Sequence, residues 1–305
     1  QLLEMNKKVI GIDNINNYYD PALKNWRLNT LTKNKNFSCH RIDIANYKKT
    51  KEVFKKYKID AVINLAARAG VRASVENPWI YLDTNIKGTL NLLECCKEHK
   101  VKKFVLASTS SIYASVKMPF KEDSKTDTPL APYSATKKGA EVLCYSYHYL
   151  YNLDISIVRY FTVYGPGGRP DMSIFKFIKN IDVGVPIPVF GDGNQTRDFT
   201  YIDDIADGTI RALKPAGYEI INLGSDHPVK LNYVIKLLEK NLGKKAKIKT
   251  LPMHPADVKA SWAHIEKAKK LLGWRPKTSI EQGVRNTVRW FFENKKFLKS
   301  LKWKD

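Results

Sequence analysis

The chain has 305 residues, of which 43% are hydrophobic and 27% charged, and this ordinary globular composition excludes collagen-like, low-complexity and wholly disordered proteins. At roughly 150 residues per domain, the length predicts two domains or one large α/β unit with an appendage. The formal charge of +22 would suit a polyanionic partner, but the lysines occur in scattered pairs rather than long runs. We therefore expect a lysine-rich solvated surface and no nucleic-acid partner.

Short β-branched runs alternate with amphipathic segments from the start to about residue 111. The predicted strands are, in chain order, 8–13, 61–65, 103–107 and 155–160. A helix is predicted over 85–99, where the apolar residues recur near helical spacing. Near-continuous apolar strands separated by helices predict a parallel sheet covered on both faces. The expected fold is therefore α/β and doubly wound.

The sequence changes character after Tyr164. Residues 165–170 form a glycine- and proline-rich loop, and later prolines break the remainder into short pieces. We expect a sheet domain over 1–163 and a smaller lobe over 164–305, with part of about 195–225 returning to the sheet. Because ligands of such sheets bind beyond the carboxyl ends of the strands, the lobe would close over that crevice.

A tyrosine and a lysine four residues apart, Tyr133 and Lys137, begin a predicted helix. This spacing places both on one helical face, where the ammonium can lower the phenol's pKa and let it act as base and acid. Such pairs are common on surfaces. However, the strand over 103–107 leads into the hydroxyl cluster 108–111, at the sheet edge where the crevice should lie. A simple Ser/Thr turn is the alternative, and the order of the segments favours catalysis.

Seven segments, in one order along nearly the whole chain, resemble the extended short-chain dehydrogenase/reductase family of nucleotide-sugar epimerases and dehydratases. They are 11–14, 64–67, 83–85, 108–113, 133–137, 159–166 and 197–201. The resemblance implies a Rossmann-like sheet domain that binds NAD, a C-terminal lobe that binds the substrate, and a homodimer. It also implies a catalytic triad of Thr109, Tyr133 and Lys137.

The resemblance further implies a set of residues that bind the cofactor. Asp13 closes a strand, where a carboxylate accepts hydrogen bonds from the adenine ribose and repels a 2′-phosphate, which favours NAD over NADP. An aspartate in a turn with Asn14 is the alternative for this residue. The full predicted set is Asp13, Asn14, Asp43, Ile44, Leu65, Ala66, Ala67, Asn85, Ala107, Tyr133, Lys137 and Tyr160.

The glycine-rich phosphate loop of such domains should precede the ribose-binding acid by roughly twenty residues, which lies before residue 1. The glycines of 165–168 and 191–193 do not stand between a strand and a helix, so they are not substitutes. We expect an incomplete sequence that lacks the first strand and this loop, because a central parallel strand is costly to remove. A truncated relative is the alternative.

The reaction is predicted from the residues after Thr109. Ser110 and Ser111 occupy places where the family's dehydratases and decarboxylases carry acidic residues, so reversible oxidation at C4 of the sugar is the simplest remaining chemistry. Segments 16–21, 69–78 and 168–172 look like the UDP-glucuronate 4-epimerase branch. The alternatives are a UDP-glucose or UDP-N-acetylhexosamine 4-epimerase, and a non-catalytic relative that binds a sugar nucleotide.

A uronate substrate needs a cation for its carboxylate, and the planar fork of an arginine suits it best. Arg169 is the first candidate and Arg72 the second, although Arg169 could instead pair with its own neighbour Asp171. The full predicted substrate set is Arg72, Thr109, Ser110, Ser111, Thr162, Arg169, Lys176, Arg197 and Asp257. By the resemblance Arg197 binds the diphosphate, Asp257 lies near the uridine ribose, and Lys176 faces this region if its phenylalanine neighbours are core residues.

The remaining predictions concern membrane association, cysteine chemistry, cellular location and oligomeric state. The apolar runs are too short for a membrane helix, which needs about eighteen residues, and the start lacks the layout of a signal peptide. The four cysteines have no C-x-x-C spacing, so neither a disulfide framework nor a metal site is expected. We expect a cytoplasmic homodimer whose interface uses helices 85–99 and 137–151. In the second helix, Leu143, Tyr147 and Leu150 could equally form a core face.

Overall fold

The computed structural model describes residues 1–114, 116–253, 258 and 260–303. The strands are β1 (Val9–Ile12), β2 (Phe37–His40), β3 (Ala61–Asn64), β4 (Lys103–Thr109), β5 (Asp154–Tyr160), β6 (Thr162–Tyr164), β7 (Ile187–Phe190), β8 (Thr196–Arg197), β9 (Phe199–Tyr201), β10 (Tyr218–Leu223), β11 (Val229–Lys230) and β12 (Ile248–Leu251).

The α-helices are α1 (Pro21–Leu31), α2 (Tyr47–Lys56), α3 (Val71–Glu76), α4 (Trp79–Tyr81), α5 (Gly88–Glu98), α6 (Pro132–Tyr151), α7 (Ser173–Val183), α8 (Ile202–Arg211), α9 (Leu231–Leu242), α10 (Glu266–Leu272), α11 (Ile280–Glu293) and α12 (Lys295–Lys299). The chain also forms a π-helical turn over Leu82–Lys87 and a 3₁₀ turn over Ser110–Tyr113.

A parallel four-stranded sheet forms the centre of the molecule, in the order β10-β5-β4-β3. Strands β1 and β2 pair in parallel with each other. Between consecutive parallel strands the chain passes through helices, as such strands require. The α/β, doubly wound, Rossmann-like fold predicted from the sequence is therefore confirmed.

Strand β4 is buried along its whole length, which explains its continuous apolar sequence. Phe104 and Leu106 pack with residues of α5 and α6 in one core cluster. Val105 faces the opposite side of the sheet, in a second cluster that contains the fully buried Trp274. Burial of alternate side chains against two helical layers fixes the register of this strand.

The C-terminal lobe has its own core, formed by α7, α9, α11 and short strand pairs. Phe175, Val234 and Val288 are buried there. Leu23 of α1 belongs to the same cluster and is fully buried, so the first helix packs on the lobe. Within the ranges that the structure describes, no helix combines the length and apolar character needed to cross a membrane.

Candidate active site

The first predicted catalytic residue lies at the carboxyl end of β4. Thr109 ends this strand, is only 7% exposed, and its Oγ1 accepts a hydrogen bond of 3.1 Å from the backbone N–H of Ser111. The hydroxyl thus caps the 3₁₀ turn that follows, since the first N–H groups of a helical turn lack partners within it. Thr109 is therefore held in one orientation at the sheet edge.

The start of α6 delivers the other two residues. Burial raises the pKa of the Tyr133 phenol. A hydrogen bond with Thr109 and the positive charge of Arg169 lower this pKa, but less strongly. Lys137 is 3% exposed, and burial lowers the pKa of its ammonium to about 8. The structure thus brings Thr109 and Tyr133 together and places Lys137 one helical turn further along the same face.

A buried carboxylate lies one turn beyond Lys137. Glu141 is 1% exposed, accepts a hydrogen bond of 2.6 Å from the Ser108 hydroxyl, and forms a bidentate ion pair with Arg159 at 3.0 and 2.7 Å. Arg159 also donates to the Tyr113 hydroxyl at 2.6 Å. The negative charge of Glu141 raises the pKa of Lys137 and so partly offsets the effect of burial. This network was not predicted from the sequence, although the charged Arg159 within a buried strand was a signal for it.

Asn85 joins the backbone of Arg68, which follows the predicted cofactor residues 65–67, to Thr136 of α6. Its side chain accepts from the N–H of Arg68 at 2.9 Å and donates to the Arg68 carbonyl at 3.0 Å and to Thr136 Oγ1 at 3.0 Å. Gly70 follows with φ of +121°, and a Cβ there would lie 3.2 Å from the Tyr18 hydroxyl. This backbone conformation and close approach require glycine.

Arg169 is near enough to the predicted catalytic tyrosine for its charge to act on the phenol, and it is found in the pairing with Asp171 that the sequence offered as the alternative. It forms a bidentate pair with Asp171, at 3.0 and 2.5 Å, and it also hydrogen-bonds the Tyr18 hydroxyl. Its charge acts on Tyr133. Arg72, the second candidate, lies with its guanidinium 3.6 Å from the centre of the Phe190 ring.

A cavity of about 200 Å³ opens next to these residues, between the sheet edge, the start of α6 and the lobe. Four of the predicted substrate residues line it: Ser110, Ser111, Thr162 and Arg197. Lys176 lies partly exposed on α7, and its neighbours Phe175 and Phe177 are buried as the sequence analysis required. Asp257 lies outside the described residues.

The predicted adenosine-binding residues cluster at the carboxyl ends of β1 and β2. Asp13 is exposed and accepts a hydrogen bond of 2.7 Å from the N–H of Ile15. Asn14 donates to Asp43 at 2.8 Å, and Asp43 also accepts from the N–H of Ala45 at 2.8 Å. An exposed carboxylate and an amide thus stand together where such sheets bind their ligands.

The remaining predicted cofactor residues differ in exposure. Leu65, at the end of β3, is 60% exposed, and the adjoining Ala66 and Ala67 are also accessible, which is unusual for an apolar segment and typical of a ligand surface. Ile44 and Ala107 are buried. The last residue, Tyr160, shares a hydrogen bond of 2.7 Å with Thr209 of α8.

Comparison with known proteins gives one consistent family. The family model described as GDP-mannose 4,6 dehydratase matches residues 1–287. A UDP-glucuronate 4-epimerase from Thermodesulfobacterium geofontis is 63% identical over 302 residues, covering 99% of this chain and 94% of that protein. UDP-glucuronate 4-epimerase 1 from Arabidopsis thaliana is 40% identical over 303 residues, covering 93% of this chain and 70% of that protein.

Solved structures agree with the sequence relatives. The crystal structure of UDP-glucuronic acid 4-epimerase from Bacillus cereus, in complex with UDP-glucuronic acid and NAD, has a TM-score of 0.90 at 38% identity, with 96% of this chain and 93% of that chain covered. UDP-glucose 4-epimerase from Thermotoga maritima has a TM-score of 0.88 at 30% identity, with 96% and 93% covered. This chain belongs to the GDP-mannose 4,6 dehydratase family of extended short-chain dehydrogenases/reductases, among the UDP-sugar 4-epimerases.

Proposed function

We propose that this protein is an NAD-dependent UDP-glucuronate 4-epimerase that interconverts UDP-glucuronate and UDP-galacturonate. The observation that carries the proposal is the position of Arg169, whose charge acts on the phenol of Tyr133. The carboxylate of a uronate is attached to C5, the carbon next to the reacting C4. A guanidinium beside the catalytic phenol is therefore where this carboxylate would need its cation. The names of the relatives agree with this substrate.

The residues at the sheet edge fit NAD. Asp13 presents an exposed carboxylate for the adenine ribose, and Leu65 presents an apolar surface against which the dinucleotide can lie. Lys137 and Tyr133 stand at the far end of the same edge, where the nicotinamide half would lie. The chemistry that NAD supplies when bound is the reversible removal of hydride from C4 of the sugar.

The chain's own residues move the proton. Tyr133 takes the proton of the 4-hydroxyl and later returns it to the oxygen at C4, acting as base and then as acid. Thr109 holds the phenol through their hydrogen bond. The buried ammonium of Lys137, on the same helical face, favours the phenolate, because a nearby positive charge lowers the pKa of a phenol. No acidic side chain stands directly after Thr109, where Ser110 and Ser111 lie, so elimination has no base at these positions.

The cavity beside the triad suits the rest of the substrate. Ser110, Ser111 and Thr162 offer hydroxyls to the sugar and its carboxylate, and Arg197 offers a positive charge to the UDP diphosphate. Because the sugar must turn over between the two half-reactions, short hydroxyl side chains suit this site better than bulky ones.

We also propose that the protein is a cytoplasmic homodimer. Its four cysteines are free and three of them are buried, as expected in a reducing compartment. Helix α6 carries a stripe of exposed apolar residues, Val142, Tyr145 and Tyr149, at the three- and four-residue spacing of one helical face. Of the predicted interface residues, Leu150 is 63% exposed, whereas Tyr147 is buried against α5, where it bonds Glu94.

The activity is tested by incubating the purified protein with UDP-glucuronate and separating it from UDP-galacturonate by anion-exchange chromatography. The Arg169→Gln variant should raise the KM for UDP-glucuronate about tenfold or more, because a charge-assisted hydrogen bond is worth about 1.5–3 kcal/mol. Its affinity for UDP-glucose should change little. The exposed Arg285→Gln on α11 is the matched control. Epimerisation of UDP-glucose but not of UDP-glucuronate by the wild type would favour the UDP-glucose 4-epimerase alternative.

A further inference from the structure

Asp198 lies between β8 and β9, and its side chain is fully buried. Its neighbours, however, line the cavity beside the triad. Arg197 precedes it in the chain. The carbonyl of Asp198 accepts a hydrogen bond of 3.0 Å from the N–H of Thr162, and its own N–H donates to the Ser261 hydroxyl at 3.3 Å. Because Arg197, Thr162 and Ser261 all line the cavity, Asp198 is joined to its wall at three places, although its buried side chain does not reach the cavity.

The carboxylate of Asp198 accepts four hydrogen bonds. One oxygen accepts from the N–H of Ser225 at 2.5 Å and from the Thr200 hydroxyl at 3.2 Å. The other oxygen accepts from the N–H groups of Asp226 at 3.1 Å and Ala263 at 3.0 Å. Burial raises the pKa of this carboxyl, and hydrogen bonds from Ala263, Ser225 and Thr200 lower it. The carboxylate thus holds the loop after β10 and the segment around Ala263 against the start of β9.

We call residues 261–263 the lobe wall, since Ser261 lines the cavity. The lobe wall is packed on both sides. A Cβ at Gly224, in the loop after β10, would lie 2.4 Å from the Cβ of Ala263, and this close approach requires glycine. On the other side Phe120, which also lines the cavity, donates its N–H to a carbonyl of the lobe wall at 2.8 Å. The lobe wall therefore has one position while Asp198 holds it.

The lobe wall stands with Arg197 on the part of the cavity that suits the nucleotide. Under the proposed function, Ser110 and Ser111 receive the sugar and Arg197 receives the diphosphate, and Ser261 lines the same cavity as these residues. The uridine diphosphate does not react, so its contacts are the same before and during the reaction. Interactions of that kind set the KM and leave kcat unchanged.

We propose that Asp198 is a positioning residue for the UDP half of the substrate, because its carboxylate holds the lobe wall in register with Arg197. The inference rests on the proposed function, since it takes a UDP-sugar as the substrate. An anchor that served the fold alone would affect stability without preference for one ligand. An anchor of the lobe wall should affect the binding of UDP and leave the binding of NAD intact.

The test compares Asp198→Ala with the wild type by titration calorimetry with UDP and with NAD, and by steady-state kinetics with UDP-glucuronate. The variant should bind UDP about tenfold more weakly and show a KM raised by a similar factor, because the lobe wall loses its hydrogen-bond acceptor. Its kcat should stay within about threefold of the wild-type value, and its affinity for NAD should be unchanged.

Asp154→Ala is the matched control. Asp154 begins β5 at the opposite edge of the sheet and accepts hydrogen bonds from the N–H groups of Ala216 at 2.8 Å and Gly217 at 2.9 Å. This change removes the same kind of anchor, so the variant should unfold at a lower denaturant concentration and yet bind UDP like the wild type. Equal losses of UDP affinity in the two variants would make Asp198 a general anchor of the fold and overturn the inference.

Gly224→Ala gives a second test, which decides if Asp198→Ala does not fold. The added methyl pushes the lobe wall away from the loop after β10, so UDP affinity should fall while NAD binding stays unchanged. Normal UDP binding in the deciding variant overturns the inference. An equal loss of NAD affinity, or a lower kcat at an unchanged KM, also overturns it. A wild type that binds NAD but not UDP would instead contradict the proposed function.

Discussion

We expect the phenol of Tyr133 both to accept the proton of the 4-hydroxyl and to return it. In Tyr133→Phe the ring remains and only the hydroxyl that carries the transferable proton is lost. Turnover should therefore fall about a hundredfold or more, while the Kd for UDP-glucuronate changes by less than about threefold. Kinetics and equilibrium binding measured on the same preparation separate the two quantities. Tyr149→Phe removes an exposed hydroxyl from the same helix and should keep full turnover. Substantial activity in Tyr133→Phe would exclude the triad.

Burial of the Lys137 ammonium lowers the free energy of unfolding. Burial lowers its pKa from 10.5 to about 8, so folding disfavours the charged form. The penalty is complete below about pH 8 and disappears as the pH rises towards 10.5, where the unfolded lysine also loses its proton. Lys137→Met should therefore raise the free energy of unfolding at pH 7 by about 1–3 kcal/mol, with a gain that shrinks above pH 8, and should abolish turnover.

Denaturant unfolding at pH 7 and pH 10, without added cofactor, measures this effect. Lys55→Met, at an exposed position of α2, should change the stability little at either pH. If Lys137→Met is less stable than the wild type at pH 7, favourable interactions of the ammonium in the folded state outweigh the cost of burying it.

At the scale of elements, α6 is joined to the sheet by charge as well as by apolar packing. Glu141 of α6 and Arg159 of β5 are each 1% exposed and form a bidentate pair. Glu141→Gln should destabilise the protein by about 3–5 kcal/mol, since it leaves a buried guanidinium without its counter-charge. Arg159→Met should cost a similar amount for the complementary reason. The double variant should cost less than the sum of the two single changes.

Thermal or denaturant unfolding of the four proteins gives the coupling between the two residues. Additive losses would mean that the two charges do not stabilise each other. Glu141 raises the pKa of Lys137, so without Glu141 the lysine should lose its proton at a lower pH. The alkaline loss of turnover should therefore begin at a lower pH in the folded double variant than in the wild type. Neutral replacement of a merely structural pair would leave this pH profile unchanged.

Four of the strands, β1, β3, β4 and β5, were predictable from sequence because each contains a short apolar run. The strand predicted over 61–65 is found as β3 and that over 103–107 as β4, within two residues at each end. The predicted helix over 85–99 is found as a π-helical turn followed by α5. That turn contains Asn85, whose amide bonds Arg68 and Thr136, and such tertiary contacts leave no local pattern in the sequence.

The candidate site also combines residues that the sequence predicted with residues that it did not. The triad lies on recognisable motifs, and the motif spacing alone placed Tyr133 and Lys137 on one helical face. The grouping of Lys24, Arg68 and Arg169 around Tyr18 and Tyr19 was not predicted, because these cations are far apart in sequence and meet only through the two tyrosines. For Arg169 the sequence left open a uronate carboxylate or Asp171 as the partner. The structure contains the pair with Asp171, and the uronate contact stays a prediction.

At the scale of the whole molecule, the exposed apolar stripe of α6 is the main feature that a single chain leaves unexplained. Val142 is 54% exposed, Tyr145 53% and Tyr149 76%, all on one face of this helix. Contiguous exposed apolar surface of this kind marks interfaces, and two copies of a helix pair can bury it symmetrically. We therefore expect sedimentation to give a mass of twice 34.9 kDa at micromolar concentration.

Charges placed on this stripe should separate the two subunits. Val142→Glu combined with Tyr149→Glu puts four carboxylates into a twofold interface, where burying them unpaired costs several kcal/mol, so the mass should fall to that of one chain. Both side chains are more than half exposed, so the fold of each subunit should persist and circular dichroism should be unchanged. Ile248→Glu, at a 53% exposed position of β12, is the control and should leave the dimer intact. A wild type that sediments as a single chain, or a double variant that remains dimeric, would place the interface elsewhere or remove it.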